Sequence, residues 1–251
     1  MSLRGVIFDL GGTLLDFGGW RSLEERGASG WRAYLLAQGY HLPDEAVIRA
    51  AVWEQMQAAW RSLAEGRVAD MATLRLAHQL GVVAERIGVA VAPEHAAEAQ
   101  RAFVEAVQPG VRPMPGAVET VHAVHERGLR LALISNTMWP GAYHEADLAR
   151  FGMLEPFEAL FFSADEGMWK PDAAIFRRAV EALNLSPNEA LYVGDSLFMD
   201  VMGAQGAGLR SVWVENDDPY MSSQTPVTPD ATVRQLTDLL PLIDAWRNHA
   251  Q

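Results

Sequence analysis

One stretch decides the fold of this chain: Val6-Ile7-Phe8-Asp9-Leu10-Gly11-Gly12-Thr13-Leu14-Leu15-Asp16. Its leading apolar residues predict a buried strand, and Asp9 follows where that strand ends. Ligands of open α/β sheets bind at the carboxyl ends of the strands, so this position favours a functional carboxylate. Gly11 and Gly12 permit a sharp turn and a close approach of a ligand to the backbone. Position 11, two residues after Asp9, is glycine, so no second acid stands there beside Asp9.

Composition narrows the class of protein. The chain has 251 residues, 49% of them hydrophobic, which is enough for a sizeable core. Its formal charge of -12 argues against nucleic-acid or anionic-membrane partners. It contains no cysteine, so disulfides and thiolate metal sites are excluded. Residues 1–3 lead directly into the first strand without a signal peptide, and no apolar run could span a bilayer, so we expect a cytoplasmic protein.

Short apolar runs alternate with helical patterns along most of the chain. This alternation predicts an α/β fold with a doubly wound parallel sheet. Further strands are predicted at residues 131–134, 159–162, 191–193 and 211–214. Amphipathic spacing predicts helices around residues 118–129 and 175–183.

Residues 17–113 differ from the remainder because they contain helical patterns and no convincing strand. We therefore predict an α-helical domain at 17–113, inserted into a core domain formed by 1–16 and 114–251. Near the end, residues 215–230 are rich in Asp, Ser, Thr and Pro and predict a surface loop. Residues 234–246 predict a closing helix.

Polar groups are expected near the ends of four predicted strands. They are Asp9, the run Ser135-Asn136-Thr137, Lys170-Pro171 ahead of a helix, and Gly194-Asp195-Ser196 with Asp200 shortly after. Groups at successive strand ends converge on one crevice in this architecture. Lys170 is the single lysine of the sequence, so it is the only candidate for chemistry that requires one.

Three carboxylates in one crevice would repel one another unless a cation lies between them. Mg²⁺ is suited to this role because it takes oxygen ligands and favours one or two carboxylates. We expect Asp9 and Asp195 to bind it, with the carbonyl of Gly11 as a third ligand. Asp200 is expected next to them, where it orients a metal-bound water or holds Lys170.

This set of motifs resembles the haloacid dehalogenase-like (HAD) superfamily. The matching stretches are Phe8 to Asp16, Ile134-Ser135-Asn136, Lys170-Pro171-Asp172 with Ile175-Phe176, and Gly194-Asp195-Ser196 with Asp200, Gly203 and Ala204. Their order and spacing also match. The resemblance covers the whole chain, because the family's C1 cap is a helical insertion where residues 17–113 lie.

The resemblance implies a Mg²⁺-dependent phosphatase acting on a small phosphorylated metabolite. Asp9 would attack phosphorus and form an aspartyl-phosphate. Ser135, Asn136 and Lys170 would contact the substrate, with Lys170 neutralising charge in the transition state. Water would then release phosphate.

Gly11 departs from the family pattern, in which a second aspartate usually protonates the leaving group. The backbone carbonyl of residue 11 can still bind the metal after this change. General acid catalysis, worth about 10²–10⁴ in rate, is lost. One reading is a phosphatase for good leaving groups such as sugar 1-phosphates, and some such enzymes of the superfamily resemble this chain in having glycine there. Alternatively, another group supplies the proton in place of the missing acid, and His41 and His144 are the candidates.

Other readings also follow from the resemblance. A metal-independent 2-haloacid dehalogenase fits poorly, because such enzymes usually have an aromatic residue at position 11 and lack the Gly194-Asp195 pattern. A phosphonate hydrolase needs a lysine in the cap, and residues 17–113 contain none. A catalytically weakened binding protein is the rival from a different functional class.

Overall fold

A computed structural model describes residues 3–216 and 226–248 of the chain. Its main feature is a six-stranded sheet with the strand order β5-β4-β1-β6-β7-β8, in which all neighbouring strands are parallel. The strands β2 and β3 form a separate two-stranded sheet. The strand bounds are β1 Gly5–Phe8, β2 Leu15–Asp16, β3 Arg112–Pro113, β4 Arg130–Ser135, β5 Phe157–Phe162, β6 Ala190–Gly194, β7 Arg210–Val214 and β8 Ala231–Val233. The predicted parallel α/β fold is confirmed.

Helices connect these strands and account for most of the described chain. The α-helices are α1 Trp20–Ala37, α2 Glu45–Ala64, α3 Leu76–Arg86, α4 Pro93–Val107, α5 Ala117–Glu126, α6 Gly141–Arg150, α7 Ser163–Glu166, α8 Ala173–Ala182, α9 Gly203–Gly206 and α10 Leu239–Asn248. Single turns of 3₁₀-helix lie at Met71–Leu74, Gln108–Gly110, Pro187–Glu189 and Leu236–Asp238, and a π-helix lies at Leu197–Met202. None of the helices in the described part of the chain has the length and hydrophobicity of a membrane span.

The core of the sheet follows from the sequence pattern of its strands and of α8. Central strands β1 and β6 are buried along their whole length, as expected for strands covered on both faces. On α8, Ile175, Phe176 and Ala179 are fully buried against one side of the sheet. The helix begins after Asp172, whose side chain accepts a hydrogen bond from the N–H of Ala174 at 2.9 Å.

The chain forms two compact units. The core unit comprises residues 3–16, Pro113–Asn136 and the described residues from His144 onward. The helical unit comprises Phe17–Arg112 together with Thr137–Tyr143. The second piece was not anticipated, because its neighbours along the chain belong to the core unit. It is attached to the helical unit by the N–H of Leu76, which donates to the carbonyl of Met138 at 2.6 Å.

Within the helical unit, α1 packs closely against α4. A side chain at Gly27 would collide with the ring of Phe103, and one at Gly30 would collide with the backbone of Ala102. Glycine is therefore needed at these two positions for the helices to approach, despite its low helix propensity. Trp31, on the same helix, is fully buried.

Near the end of the chain, one expectation was wrong and one strand was missed. The closing helix does not start at residue 234: a 3₁₀ turn comes first and α10 begins at Leu239. Pro241 accounts for this start, because proline fits the first turn of a helix, where its missing N–H is not required. The strand Ala231–Val233 was missed, since three residues are too few to show a period. The predicted loop at 215–230 lies partly outside the described residues.

Candidate active site

Strand register aligns the carboxyl ends of the three central strands. Phe8, the last residue of β1, is level with Leu133 of β4 and Val193 of β6. The N–H of Asp9 continues this pairing and donates to the carbonyl of Val193 at 2.8 Å. Asp9, Ser135 and Asp195 therefore lie at one edge of the sheet, and all three side chains are buried.

Lys170 connects two of the acidic residues. Its Nζ donates to Asp9 Oδ1 at 2.5 Å and to Asp200 Oδ1 at 2.7 Å. It also donates to the hydroxyl of Tyr192 at 3.0 Å. Only 3% of the lysine side chain is exposed, so these bonds replace the water it has lost. The single lysine of the sequence is thus a buried member of this cluster.

Asp200 is held by the turn that follows β6. Its Oδ2 accepts a hydrogen bond from the N–H of Ser196 at 2.9 Å, and its Oδ1 accepts one from Tyr192 at 3.0 Å. A side chain at Gly194 would collide with the carboxyl of Asp200, so the strand must end in glycine. Asp200 is in contact with Lys170, as one of the two roles considered for it requires.

Asp9, Asp195 and Asp200 form a group able to hold a metal ion. One carboxylate oxygen from each lies within 4.8 Å of the others. Asp195 Oδ1 is buried and has no hydrogen-bond partner among residues 3–216 and 226–248. A buried carboxylate oxygen without a partner is unfavourable unless a cation binds it. The group therefore suits a hard divalent ion such as Mg²⁺.

Asp195 is oriented by two residues from the neighbouring part of the sheet. Trp213 Nε1 donates to its backbone carbonyl at 2.9 Å. The Asn216 amide donates to the same carbonyl at 3.2 Å and to Asp195 Oδ2 at 3.0 Å. These contacts leave Oδ1 as the available oxygen.

The pKa values of the cluster reflect burial first and charge second. Burial raises the pKa of Asp9 to about 6, with Lys170 lowering it and Asp200 raising it. Burial, Asp9 and Asp200 raise the pKa of Asp195 well above its usual value. Burial opposes the charged form of Lys170, but Asp200 and Asp9 outweigh it and raise the pKa of the ammonium. Three carboxylates facing one ammonium have an excess of negative charge that a divalent cation would balance.

The glycine pair after Asp9 has a clear structural role at one of its positions. Gly12 has φ +80°, and a side chain there would collide with the Asp195 carboxylate. Gly12 is therefore required both by its backbone conformation and by the close approach of Asp195. Gly11 is half-buried and forms a bridge with Leu15. Thr13, which follows, donates to Asp9 Oδ2 at 3.2 Å.

The two residues that end β4 and follow it have different surroundings. Ser135 is buried at the end of β4, two residues after Leu133, which pairs with Phe8 of β1. Asn136 is half-buried, and its side-chain amide forms two hydrogen bonds with the backbone of Lys170, at 2.8 and 3.0 Å. Asn136 and Lys170 were both expected to bind the substrate, and here the Asn136 side chain is bonded to the Lys170 backbone.

Three residues of the site were not anticipated: Tyr192, Trp213 and Asn216. A signal existed for Tyr192, because it stands within an apolar strand two residues before Gly194, and a buried tyrosine hydroxyl requires a partner. Burial raises its pKa well above the usual value, so it stays protonated. Trp213 and Asn216 gave no such signal, since their contact with Asp195 depends on strand pairing.

The two histidines considered as replacement acids lie in different surroundings. His144 is buried and stacks on the ring of Phe162, with ring centroids 5.4 Å apart. Burial lowers its pKa to about 3, so the ring is a neutral imidazole and not the acidic imidazolium at neutral pH. His41 is exposed, in the loop between α1 and α2.

The chain is similar in sequence to known proteins of one family. A family model described as haloacid dehalogenase-like hydrolase matches residues 3–208. Phosphoserine phosphatase from Thermus thermophilus is 35% identical over 153 residues, which are 59% of this chain and 57% of that protein. The chain spans about half the length of the curated relatives it matches.

Solved structures show the same fold over almost the whole chain. The magnesium-bound HAD-hydrolase YfnB from Bacillus subtilis has a TM-score of 0.69 and 22% identity, covering 97% of this chain and 100% of that one. A 2-haloacid dehalogenase from Pseudomonas syringae has a TM-score of 0.69 and 25% identity, covering 97% and 98%. The extent of the family match and the arrangement of Asp9, Lys170 and Asp195 lead to one conclusion. The chain belongs to the haloacid dehalogenase-like hydrolase family.

Proposed function

We propose that this protein is a Mg²⁺-dependent phosphatase that hydrolyses a small phosphorylated metabolite through an aspartyl-phosphate. One observation carries the proposal: the carboxylate of Asp9 is buried, bonded to Lys170, and grouped with two further carboxylates. One oxygen of Asp195 in this group has no partner in the part of the chain that the structure describes. The similarity to a phosphoserine phosphatase supports the same reaction class.

Mg²⁺ would be held by Asp9 and Asp195, with the backbone carbonyl of Gly11 as a further ligand. When bound, it would supply positive charge that screens Asp9 from the phosphoryl group. Asp200 is engaged with Lys170 and Ser196, so we assign it to holding the lysine.

The chain's own residues account for the covalent steps. The Asp9 carboxylate attacks phosphorus, and the bond from phosphorus to the leaving-group oxygen breaks. Lys170 and the hydroxyl of Ser135 are assigned to the phosphoryl oxygens, on which negative charge accumulates. A water molecule then attacks the aspartyl-phosphate, releasing inorganic phosphate and restoring Asp9. The helical unit is proposed to act as the cap that selects the substrate.

Gly11 gives the proposal its specificity. No side chain at this position can protonate the leaving oxygen, and His144 is a neutral imidazole, not the acidic imidazolium, at neutral pH. Substrates whose leaving group departs without a proton are therefore favoured, such as anomeric sugar phosphates and acyl phosphates. We expect the rate to depend steeply on the pKa of the leaving group.

A phosphate-release screen over a panel of phosphorylated metabolites tests the proposal, with and without Mg²⁺ and with Asp9→Asn as the blank. Release that requires both Mg²⁺ and Asp9 would support it. A series of aryl and alkyl phosphates would then test the role of Gly11, and a flat dependence on leaving-group pKa would show that another group supplies the proton. Stable binding of phosphorylated ligands without turnover of any of them would favour a weakened binding protein.

The similarity to a 2-haloacid dehalogenase structure makes that reaction the second candidate. It uses the same aspartate nucleophile but needs no metal. Chloride release from 2-chloropropionate in the presence of excess chelator would favour it. The Asp195 oxygen argues against it: none of the described residues binds this oxygen, and an enzyme without a metal would leave it so.

A further inference from the structure

We propose that Asn136 is a positioning residue that fixes Lys170 through its backbone, rather than a ligand of the substrate. This inference rests on the proposed role of Lys170 in phosphoryl transfer. It assigns a different task to a residue whose place after β4 first indicated substrate binding.

Two reciprocal hydrogen bonds join the Asn136 side chain to Lys170. The Lys170 N–H donates to Asn136 Oδ1 at 2.8 Å, and Asn136 Nδ2 donates to the Lys170 carbonyl at 3.0 Å. The side-chain amide thus pairs with both backbone groups of one residue, as a neighbouring strand would. Lys170 needs such a partner, because it is buried in the loop between α7 and α8 and belongs to no strand.

The Asn136 amide has little capacity left for a substrate. Its Nδ2 carries two hydrogens, of which one serves the Lys170 carbonyl and the other faces Met199 Sδ at 3.8 Å. A phosphoryl oxygen would have to displace one of these contacts. Ser135 and Lys170 remain as the substrate contacts in this part of the site.

Fixing the backbone of Lys170 matters because of the length of its side chain. A lysine side chain has many rotamers, and Nζ must reach Asp9, Asp200 and Tyr192 together. A backbone held at both its N–H and its carbonyl fixes the point from which the side chain starts. Asparagine achieves this without adding charge to a cluster that already holds three carboxylates.

The single lysine makes the inference directly measurable. Protein labelled with ¹⁵N-lysine gives one backbone amide signal and one ammonium signal, both from Lys170. In Asn136→Ala we expect the amide proton to shift upfield, its exchange with solvent deuterium to accelerate roughly tenfold or more, and the ammonium signal to move. Unchanged signals in a folded variant would overturn the inference.

Kinetics provide the second measurement. We expect Asn136→Ala to lower kcat about 10–100-fold on the best substrate of the phosphate-release screen, with KM little changed. In a Lys170→Met background, the same substitution should cause no further loss. A raised KM at unchanged kcat, or equal losses in both backgrounds, would overturn the inference. Asn188→Ala, an exposed asparagine in the 3₁₀ turn Pro187–Glu189, is the matched control and should leave kcat unchanged.

The spectroscopic arm separates this inference from the proposed function. A protein that releases phosphate from no substrate overturns the proposed function, while the Lys170 signals still show whether Asn136 holds the lysine. Phosphatase activity of the wild type together with unmoved Lys170 signals in Asn136→Ala would support the proposed function and overturn the inference about Asn136.

Discussion

The core unit and the helical unit each bury carboxyl groups but surround them differently. In the core unit, Asp9 and Asp200 face the ammonium of Lys170. In the helical unit, Glu24 on α1 is buried, and its Oε2 has no hydrogen-bond partner among the described residues. Burial raises the pKa of Glu24 to about 8, with Gln57 opposing the shift. At neutral pH the core unit therefore holds buried charges, whereas Glu24 in the helical unit is protonated and neutral.

This difference indicates that the charged cluster of the core unit serves a function. A buried charge costs free energy, and a protein avoids that cost most simply by leaving the group protonated, as Glu24 does. Buried groups that stay charged because a partner of opposite charge is buried beside them are typical of functional sites. Replacing a charged group of the core unit's cluster should therefore affect chemistry most, and replacing Glu24 in the helical unit should affect only stability.

The largest effect is expected from Asp9→Asn. The amide cannot act as the nucleophile, so phosphate release should fall by about 10⁴-fold or more. Because Lys170 keeps Asp200 as a partner, the variant should stay folded. Turnover and circular dichroism would be measured together. Residual activity above about one hundredth of the wild type would contradict the role of Asp9.

Lys170→Met should have the largest effect on stability. It leaves Asp9 and Asp200 buried without their cation, which typically costs about 3–5 kcal/mol of unfolding free energy. Arg234→Met removes the cation from an exposed ion pair with Glu215 and should cost less than about 1 kcal/mol. Urea denaturation of both variants would measure the contrast. Equal losses would mean that burial does not separate these two ion pairs.

Glu24 should make stability depend on pH. Its pKa rises from 4.5 in the unfolded chain to about 8 in the folded one, so the folded state holds the proton more tightly between these values. Its contribution to stability is therefore complete below pH 4.5 and is lost as the pH rises toward about 8, a change on the order of a few kcal/mol. Calorimetry of wild type and Glu24→Gln would test this. The unfolding free energy should depend less steeply on pH in Glu24→Gln than in the wild type. Parallel curves of unfolding free energy against pH would count against a buried neutral carboxyl.

The smallest of these effects concerns the orientation of Asp195. Asn216→Ala removes two hydrogen bonds to Asp195 and should weaken Mg²⁺ binding about tenfold. Isothermal titration with Mg²⁺ measures this without any substrate. Gln205→Ala is a suitable control, since its side chain bonds to Ser211 and Thr228, outside the site. A similar affinity in wild type and Asn216→Ala would show that Asp195 does not need this support.

The sequence predicted the groups of the site better than their contacts. Asp9 and Asp195 could be placed because each follows a predicted strand, and such strand ends share one edge of a parallel sheet. Lys170 could be placed because it is the single lysine and stands with Pro171 ahead of a predicted helix. Tyr192 was missed because its hydroxyl is hidden within an apolar run. Asn216 was missed because it reaches Asp195 only through the pairing of β6 with β7.

By itself, the sequence determined the parallel α/β fold, the family and the absence of an acid at position 11, because each depends on local pattern or residue type. The tertiary structure decided which partner each polar group has. It gave Lys170 to Asp9 and Asp200, the Asn136 amide to the lysine backbone, and residues 137–143 to the helical unit. These assignments depend on distances between residues far apart in the chain, which strand order and packing set and a local pattern does not contain.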